Sequence, residues 1–151
     1  NEEDSDGDGW SDGAEVGYDG VPGTGTSPCN PDTDGDGEND PDDPAPQDPG
    51  VTSGWIEDEL RLTSAGIDEL DLSYIEAKNE NAAKGRRNAM SNKVNAAANL
   101  VALGEFSAAA DDLMSLLAKL DDDPTPPDWM VEGSEKEALR AEIELMMLLL
   151  Y

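Results

Sequence analysis

Hydrophobic positions are spaced differently in the two parts of the chain. From about Ser53 onward, Leu, Ile, Val, Met and Ala recur at intervals of three and four residues, the spacing of one face of an α-helix. Before that point aliphatic side chains are rare, and Gly, Pro and Asp predominate. The pattern predicts an all-helical module over residues 51–151. It also predicts, over residues 1–50, an N-terminal arm with too little apolar surface to order itself.

The periodic part predicts a bundle of about four helices. The first begins near Ser53 and ends within residues 63–66. The second helical stretch, either continuous or interrupted, covers about 71–103, with Gly104 at its end. A third helix covers residues 106–120. The apolar residues expected to face the core from these three helices are Trp55, Ile56, Leu60, Met90, Val94, Ala97, Val101, Phe106, Ala110, Leu113, Leu117 and Leu120.

The fourth predicted helix follows a break in the pattern. The stretch "DDDPTPP" at 121–127 ends the third helix, because proline cannot continue it. We interpret Trp129 and Met130 as an apolar plug that holds this loop on the bundle. Ser134 and Glu137 match a capping box for the last helix. The residues of this helix expected to point inward are Leu139, Ile143, Met146, Met147 and Leu150.

Acidic charge is concentrated in the arm. Residues 1–50 hold 16 of the 36 Asp and Glu and none of the 9 Lys and Arg, and the chain has a formal net charge of -27. Nucleic acid and anionic membranes repel such a chain, so we expect neither as a partner. The longest apolar run, at 145–151, is too short to span a bilayer. Without an initiator Met or a signal peptide, the sequence is expected to be a processed chain or an excerpt of a longer one.

Two segments of the arm carry carboxylates at the spacing of a calcium-binding loop. Calcium takes six to eight oxygen ligands, and a 12-residue loop supplies them from positions 1, 3, 5, 7, 9 and 12, with Gly at position 6. Residues 4–15 and 32–43 both match, with Gly9 and Gly37 at position 6. The expected ligands are the carboxylates of Asp4, Asp6, Asp8, Asp12, Glu15, Asp32, Asp34, Asp36, Asp40 and Asp43 and the carbonyls of Trp10 and Glu38.

Without a cation, the carboxylates of each loop would repel one another. Two carboxylates about 4 Å apart repel by a few kcal/mol at an effective dielectric constant near 20, and calcium reverses the sign of that energy. We therefore expect an arm that is extended without calcium and compact with it. The alternative is a disordered acidic linker, for which the repeated spacing has no role.

The flanks of the loops separate them from an EF-hand, which needs a helix on each side. Pro41 lies inside the second loop, and "VGYDGVPGTG" follows the first, so helices cannot continue. The pattern D-x-D-x-D-G-x-x-D-x-x-D instead resembles the thrombospondin type 3 repeat over residues 4–43, with Glu15 in place of the last Asp of the first loop. This resemblance implies an irregular, calcium-wrapped arm with two or more bound Ca²⁺ ions, which replace a hydrophobic core.

The helical part carries a second resemblance. The stretch "RRNAMSNKVNAAANLVALGEFSAAADDLMSLLAKLD", followed by "DWM" and a Leu-rich helix, is similar to a C-terminal helical module of bacterial and archaeal secreted and surface proteins. The resemblance implies a non-catalytic appendage. It rests on Arg86, Arg87, Asn92, Lys93, Asn95, Gly104 and Phe106.

The sequence argues against an enzyme. Histidine is absent, and the single Cys29 lacks a basic partner, so catalytic triads and zinc sites are not expected. Paired carboxylates allow glycosidase chemistry in principle, but the calcium pattern already accounts for them. Cys29 is either a free thiol or the partner of a cysteine elsewhere. The basic cluster of Lys84, Arg86 and Arg87 is expected to pair with nearby acids rather than to bind phosphate.

Two functions remain from the sequence. The first is a non-catalytic, calcium-binding structural module of an extracellular or cell-surface protein. The second is a calcium-dependent assembly subunit of a filament, surface layer or scaffold, whose partners are other copies of itself or a surface protein. The apolar tail at 145–151 and the unpaired Cys29 favour this second function, because a helix that is apolar on every face can serve a subunit contact.

Overall fold

A computed structural model describes residues 3–18, 20–121 and 128–150. The chain divides into two compact units, residues 1–53 and residues 54–151. In the described ranges there are helices and two isolated β-bridges but no strand. The α-helices are α1 (Asp12–Val16), α2 (Ser53–Glu69), α3 (Glu80–Val101), α4 (Phe106–Leu117) and α5 (Ser134–Leu149), and single 3₁₀ turns cover Asp40–Asp42 and Leu72–Tyr74.

The first unit has little regular structure. Helix α1 has only five residues and ends at Val16, where the C-cap Gly17 has a left-handed φ of 82°. The turn at Asp40–Asp42 contains Pro41 at its start and does not extend into a helix. The interruption of helix after both loops, predicted from Gly and Pro, is therefore confirmed.

The glycine-rich segment after α1 folds back onto it. The backbone N–H of Thr24 donates to the carbonyl of Ala14 (3.0 Å), and the N–H of Gly25 donates to the carbonyl of Glu15 (2.9 Å). A Cβ at Gly23 would lie 2.1 Å from the Glu15 carbonyl oxygen, so only glycine fits this approach. The result is that the Glu15 side chain is fully buried.

The all-α character predicted for the second part is confirmed, but α2 is longer than expected. It passes Gly66 and ends at Glu69, whereas the sequence predicted an end within residues 63–66. Ile56 and Leu60 are fully buried, as predicted. The inward position predicted for Trp55 is wrong, since its side chain remains 37% exposed.

The helical stretch predicted over 71–103 is interrupted in the structure, one of the two alternatives that the sequence left open. Helix α3 begins at Glu80, because the side chain of Asn79 accepts from the backbone N–H of Ala82 (2.9 Å) and caps the helix there. Asp71 caps the separate 3₁₀ turn that precedes it. The predicted face of α3 is confirmed by the burial of Met90, Val94, Ala97 and Val101.

Helix α4 begins at Phe106, as predicted, after the left-handed Gly104 (φ 73°). It ends at Leu117 rather than at residue 120. Phe106 and Leu117, both expected in the core, are only half-buried, because the packed face of the helix is rotated from the predicted one. The buried residues of this region are Ala109, Ala110, Leu113, Leu116 and Leu120.

The capping box predicted for the last helix is wrong. Gly133 occupies the N-cap of α5, and Ser134 is the first helical residue, whose hydroxyl donates to Glu135 (3.0 Å). Met147 is half-buried rather than fully inward. The other predicted core residues of α5 are buried, namely Leu139, Ile143, Met146 and Leu150.

The segment before α5 is tied to the bundle by its backbone. Trp129 donates its N–H to the carbonyl of Lys119 (2.8 Å) and accepts from the N–H of Glu76 (3.0 Å). Met130 is 1% exposed, which confirms that its side chain packs into the bundle as predicted. Most of segment 121–127, which was predicted to end the third helix, lies outside the described residues.

The basic residues Lys84, Arg86 and Arg87 of α3 make contacts within the helical unit. Lys84 forms an ion pair with Glu80 (2.6 Å), as expected. Arg86 instead donates to the backbone carbonyls of Glu76 and Asp128, and Arg87 donates to the carbonyl of Leu70 (3.0 Å). The described helices include none with both the length and the apolar character needed to cross a membrane.

We expect Leu113→Ala to destabilise the helical unit by about 2–5 kcal/mol, because it opens a cavity at a fully buried position. The matched control is Met114→Ala on the same helix, which changes a 48% exposed side chain and should shift the free energy of unfolding by about 0.5 kcal/mol or less. Urea unfolding followed by helical circular dichroism, at constant calcium, measures both. Equal effects of the two variants would contradict the assigned face of α4.

Candidate metal centre

The two predicted loops adopt the same backbone conformation. In each loop, the N–H of position 4 donates to the carboxylate of position 1: Gly7 to Asp4 (2.7 Å) and Gly35 to Asp32 (2.8 Å). The N–H groups of positions 5 and 7 donate to the carboxylates of positions 3 and 5 in the same way. These bonds are Asp8 to Asp6 (3.3 Å), Trp10 to Asp8 (2.7 Å), Asp36 to Asp34 (3.1 Å) and Glu38 to Asp36 (2.9 Å).

Glycine at position 6 is needed in both loops. Gly9 has a φ of 114° and Gly37 a φ of 106°, values that L-residues with a side chain rarely adopt. The space around each is open, so the requirement comes from the backbone conformation and not from crowding. The repeated glycine therefore belongs to the same turn that brings the carboxylates together.

The carboxylate at position 9 is held by the residue at position 2. Asp12 accepts from the N–H and the hydroxyl of Ser5 (both 2.9 Å), and Asp40 accepts from the N–H and the hydroxyl of Thr33 (both 2.8 Å). Each oxygen of a carboxylate has two lone pairs, so these bonds fix the side chain and leave acceptor capacity. The sequence analysis did not predict a role for Ser5 and Thr33, although both loops have a hydroxyl residue at position 2.

Three groups of carboxylates are close enough to share an ion in the part of the chain that the structure describes. Within each group, one oxygen from each side chain lies within 4.8 Å of the others. Two groups are the expected ones at positions 1, 3 and 5 of a loop, and the third contains residues from both loops. The groups are Asp4, Asp6 and Asp8; Asp32, Asp34 and Asp36; and Asp8, Glu15 and Asp40.

The other predicted ligands lie outside these groups. Asp43 is buried and its Oδ1 accepts from the N–H of Ala45 (2.7 Å). The carboxylate of Glu38 accepts from the N–H (2.9 Å) and hydroxyl (2.6 Å) of Ser53, which is compatible with its predicted role through the backbone carbonyl alone. Cys29 is an exposed free thiol.

Several carboxylate oxygens in these groups are buried without any hydrogen-bond donor. A buried acceptor without a partner costs about 1–3 kcal/mol, and more when it is charged. Native proteins therefore rarely keep such atoms unless an ion or water occupies the space beside them. In the first unit the atoms are Asp6 Oδ2, Asp8 Oδ2, Glu15 Oε2, Asp34 Oδ2 and Asp36 Oδ2.

Burial and like charge also affect the titration of these groups. Burial, followed by the charge of Asp6, raises the pKa of Glu15. Burial likewise raises the pKa of Asp8 and of Asp34. For Asp43, burial and the charges of Asp36 and Asp34 raise the pKa to about 6. Each shift reports an environment that disfavours the ionised carboxylate when no positive charge is nearby.

The donor set fits a hard divalent cation. Every member of the three groups offers a carboxylate oxygen, and none offers the nitrogen or sulfur that zinc and copper favour. Oxygen-rich, acidic loops with a tight glycine turn are the setting in which calcium is bound. The orphaned oxygens are the acceptors that such an ion would satisfy.

Comparison of the chain with protein-family models, with curated proteins and with solved structures finds no match. The resemblances to thrombospondin type 3 repeats and to a C-terminal helical module therefore stay predictions. The geometry of the two loops stands independently of them.

We expect Gly37→Ala to weaken calcium binding by about tenfold, because a side chain at this φ costs about 1–2 kcal/mol in the conformation that assembles the loop. Gly50→Ala is the matched control, since Gly50 lies in the same unit and has no left-handed φ. Calorimetric titration with Ca²⁺ measures both variants. An unchanged affinity of Gly37→Ala would show that this turn is not part of a binding loop.

Proposed function

We propose that residues 1–53 form a calcium-binding structural module of an extracellular or cell-surface protein. The observation that carries this proposal is the set of buried carboxylate oxygens that have no hydrogen-bond partner, arranged alike in two loops. Calcium would be held in each loop by the carboxylates at positions 1, 3 and 5. The ion would supply charge neutralisation and cross-linking in a unit that has almost no apolar core.

The proposal of an extracellular location follows from the chemistry of the ion. Calcium sites of extracellular modules are often weak, with dissociation constants of about 10⁻⁴ to 10⁻³ M, and are filled because free calcium there is high. A chain that needs calcium to order its N-terminal unit would be ordered in that environment. The exposed thiol of Cys29 is available to a partner cysteine under the same oxidising conditions.

The proposed role is non-catalytic. The clustered carboxylates that a glycosidase would need are assigned to ions, and the chain contains no histidine. In the helical unit, Arg86 and Arg87 donate to backbone carbonyls, which favours a structural use of its basic cluster. We therefore propose that the helical unit acts as a stable appendage.

A second candidate function is calcium-dependent assembly with other copies of this chain. It is favoured by α5, on which Leu145 is 51% exposed and Leu148 is 71% exposed, while Ile143 and Met146 face the core. Two neighbouring exposed leucines on one helix are an apolar surface that a subunit contact would cover.

Chelation is the direct test of calcium-dependent order. With EDTA, we expect proteases to cleave residues 1–53 rapidly, and with calcium we expect this unit to be protected while the helical unit resists cleavage in both conditions. Magnesium serves as a control, because its strict octahedral geometry suits a flexible carboxylate loop poorly. A cleavage pattern indifferent to EDTA and to calcium would overturn the proposed function.

Assembly makes a separate prediction for light scattering. If the chain assembles through α5, its scattering mass should rise on adding calcium, and Leu148→Glu should abolish the rise by placing a charge in the contact. Leu62→Glu, at a 64% exposed leucine of α2, is the matched control and should leave it unchanged. A monomer with and without calcium would exclude assembly and leave the structural module as the function.

A further inference from the structure

An open groove lies between α2 and α5 on the helical unit. Its volume is about 340 Å³, which is room for a few aliphatic side chains. Apolar side chains form most of its lining, among them Leu62 and Ile67 of α2 and Leu139 of α5. Leu62 is 64% exposed and Ile67 is 1% exposed, so the groove leads from the surface down to the core. Apolar grooves between helices are a setting in which helices of other proteins dock.

Gly66 leaves a gap in the wall that α2 contributes to this groove. Glycine inside a helix is less stable than alanine, so a helical glycine calls for a reason. A Cβ at Gly66 would meet nothing within 4 Å, which means that no contact inside the chain requires glycine here. On the opposite wall, Ala138 is also small and exposed. The pair leaves space in which the backbone of a docked segment could approach closely.

Two carboxylates line the groove from α5. Glu135 and Glu142 are seven residues apart, which places them on the same face of the helix and about 10 Å apart along its axis. The hydroxyl of Ser134 donates to Glu135 Oε2 (3.0 Å), and the hydroxyl of Thr63, on the opposite wall, donates to Glu142 Oε1 (2.7 Å). These bonds hold the side chains at the groove and leave acceptor capacity on both.

Neither groove carboxylate forms an ion pair with a Lys or Arg of the described ranges. The charge of Glu135, together with a hydrogen bond to it, raises the pKa of Tyr74, which shows that this charge acts on its surroundings. The ion pairs within the helical unit use other carboxylates instead. These belong to Glu57, Glu80, Asp128, Glu132 and Glu144.

We propose that the groove between α2 and α5 binds a basic amphipathic helix of another protein. Lys or Arg side chains seven residues apart on that helix would meet Glu135 and Glu142. Apolar side chains three and four residues after the first of these bases lie on the same helical face and would enter the groove. An acidic or neutral helix would instead desolvate the two carboxylates without pairing them. The proposal goes beyond calcium binding, because all of these residues belong to the helical unit.

A second copy of this chain does not supply such a helix. Among its 9 Lys and Arg, only Arg86 and Lys93 lie seven positions apart, both in α3. Arg86 donates to backbone carbonyls of its own unit, and Lys93 donates to Ser115 Oγ (2.6 Å). Both side chains are therefore engaged within their own bundle. The complementary charge has to come from a different polypeptide.

The test titrates the full chain, at constant calcium, with a labelled alanine-based peptide of about 16 residues, long enough to form a helix. The peptide carries Lys at positions i and i+7 and Leu at i+3 and i+4, and fluorescence anisotropy measures its binding. Glu135→Gln and Glu142→Gln should each weaken binding by about threefold, because each removes one exposed ion pair. Gly66→Leu should weaken it by about tenfold, because it fills the groove without changing the charge.

Matched controls separate the groove from the rest of the surface. Glu137→Gln removes an exposed carboxylate of α5 outside the groove and should bind as the wild type does. Gly85→Leu changes a helical glycine of α3 whose surroundings are equally open, and it should also bind normally. Thermal unfolding followed by circular dichroism checks that each variant keeps its fold.

A second peptide of the same composition, with its two Lys on opposite faces of the helix, should bind about tenfold more weakly. Equal binding of the two peptides, or unchanged binding to Gly66→Leu, would assign the attraction to the net charge of -27 and overturn the docking site. Failure of the first peptide to bind would overturn it as well. Saturable binding of octylammonium without binding of the peptide would assign the groove to a small amphipathic cation and would also contradict the proposal.

Discussion

Mutual repulsion between carboxylates is the constraint on which the first unit depends. Its loops turn the side chains at positions 1, 3 and 5 toward a common point, and their N–H groups hold them there. The hydrogen bonds satisfy one oxygen of most of these side chains and leave the other without a donor. Repulsion destabilises such an arrangement when the carboxylates are ionised, and the unit has no Lys or Arg to offset it. In the proposed function, a bound cation would take the part that an apolar core plays in other domains.

The helical unit satisfies its charges with its own groups. Lys136 is 2% exposed and pairs with Asp128 (2.5 Å) and with Glu132. Arg86 and Arg87 donate to carbonyls that the irregular segments leave without helical partners. Only Arg87 Nε and Asp128 Oδ1 are buried without a partner among its described residues. This unit folds around buried aliphatic side chains by ordinary hydrophobic packing.

Sequence patterns predicted the helices where local signals and packing agreed. The face of α3 from Met90 to Val101 repeats regularly, and its burial follows from that period. The prediction was wrong at the start of α5, where Gly133 takes the cap position that Ser134 was expected to occupy. At α3, the cap formed by Asn79 marks where the stretch over 71–103 is interrupted, a point that the periodicity alone had left open. Tertiary packing also rotated α4, which left Phe106 half-exposed.

By itself the sequence determined the chemistry of the candidate site. Carboxylates at alternate positions and glycine at the turn specify oxygen ligands on a tight loop, because side-chain type and backbone freedom are local properties. Only the tertiary structure decided which carboxylates share a site. Glu15 lies close to Asp40, 25 positions later in the chain, and the segment from Gly17 to Gly25 folds back onto α1 beside it. No spacing rule within a single loop encodes such a contact.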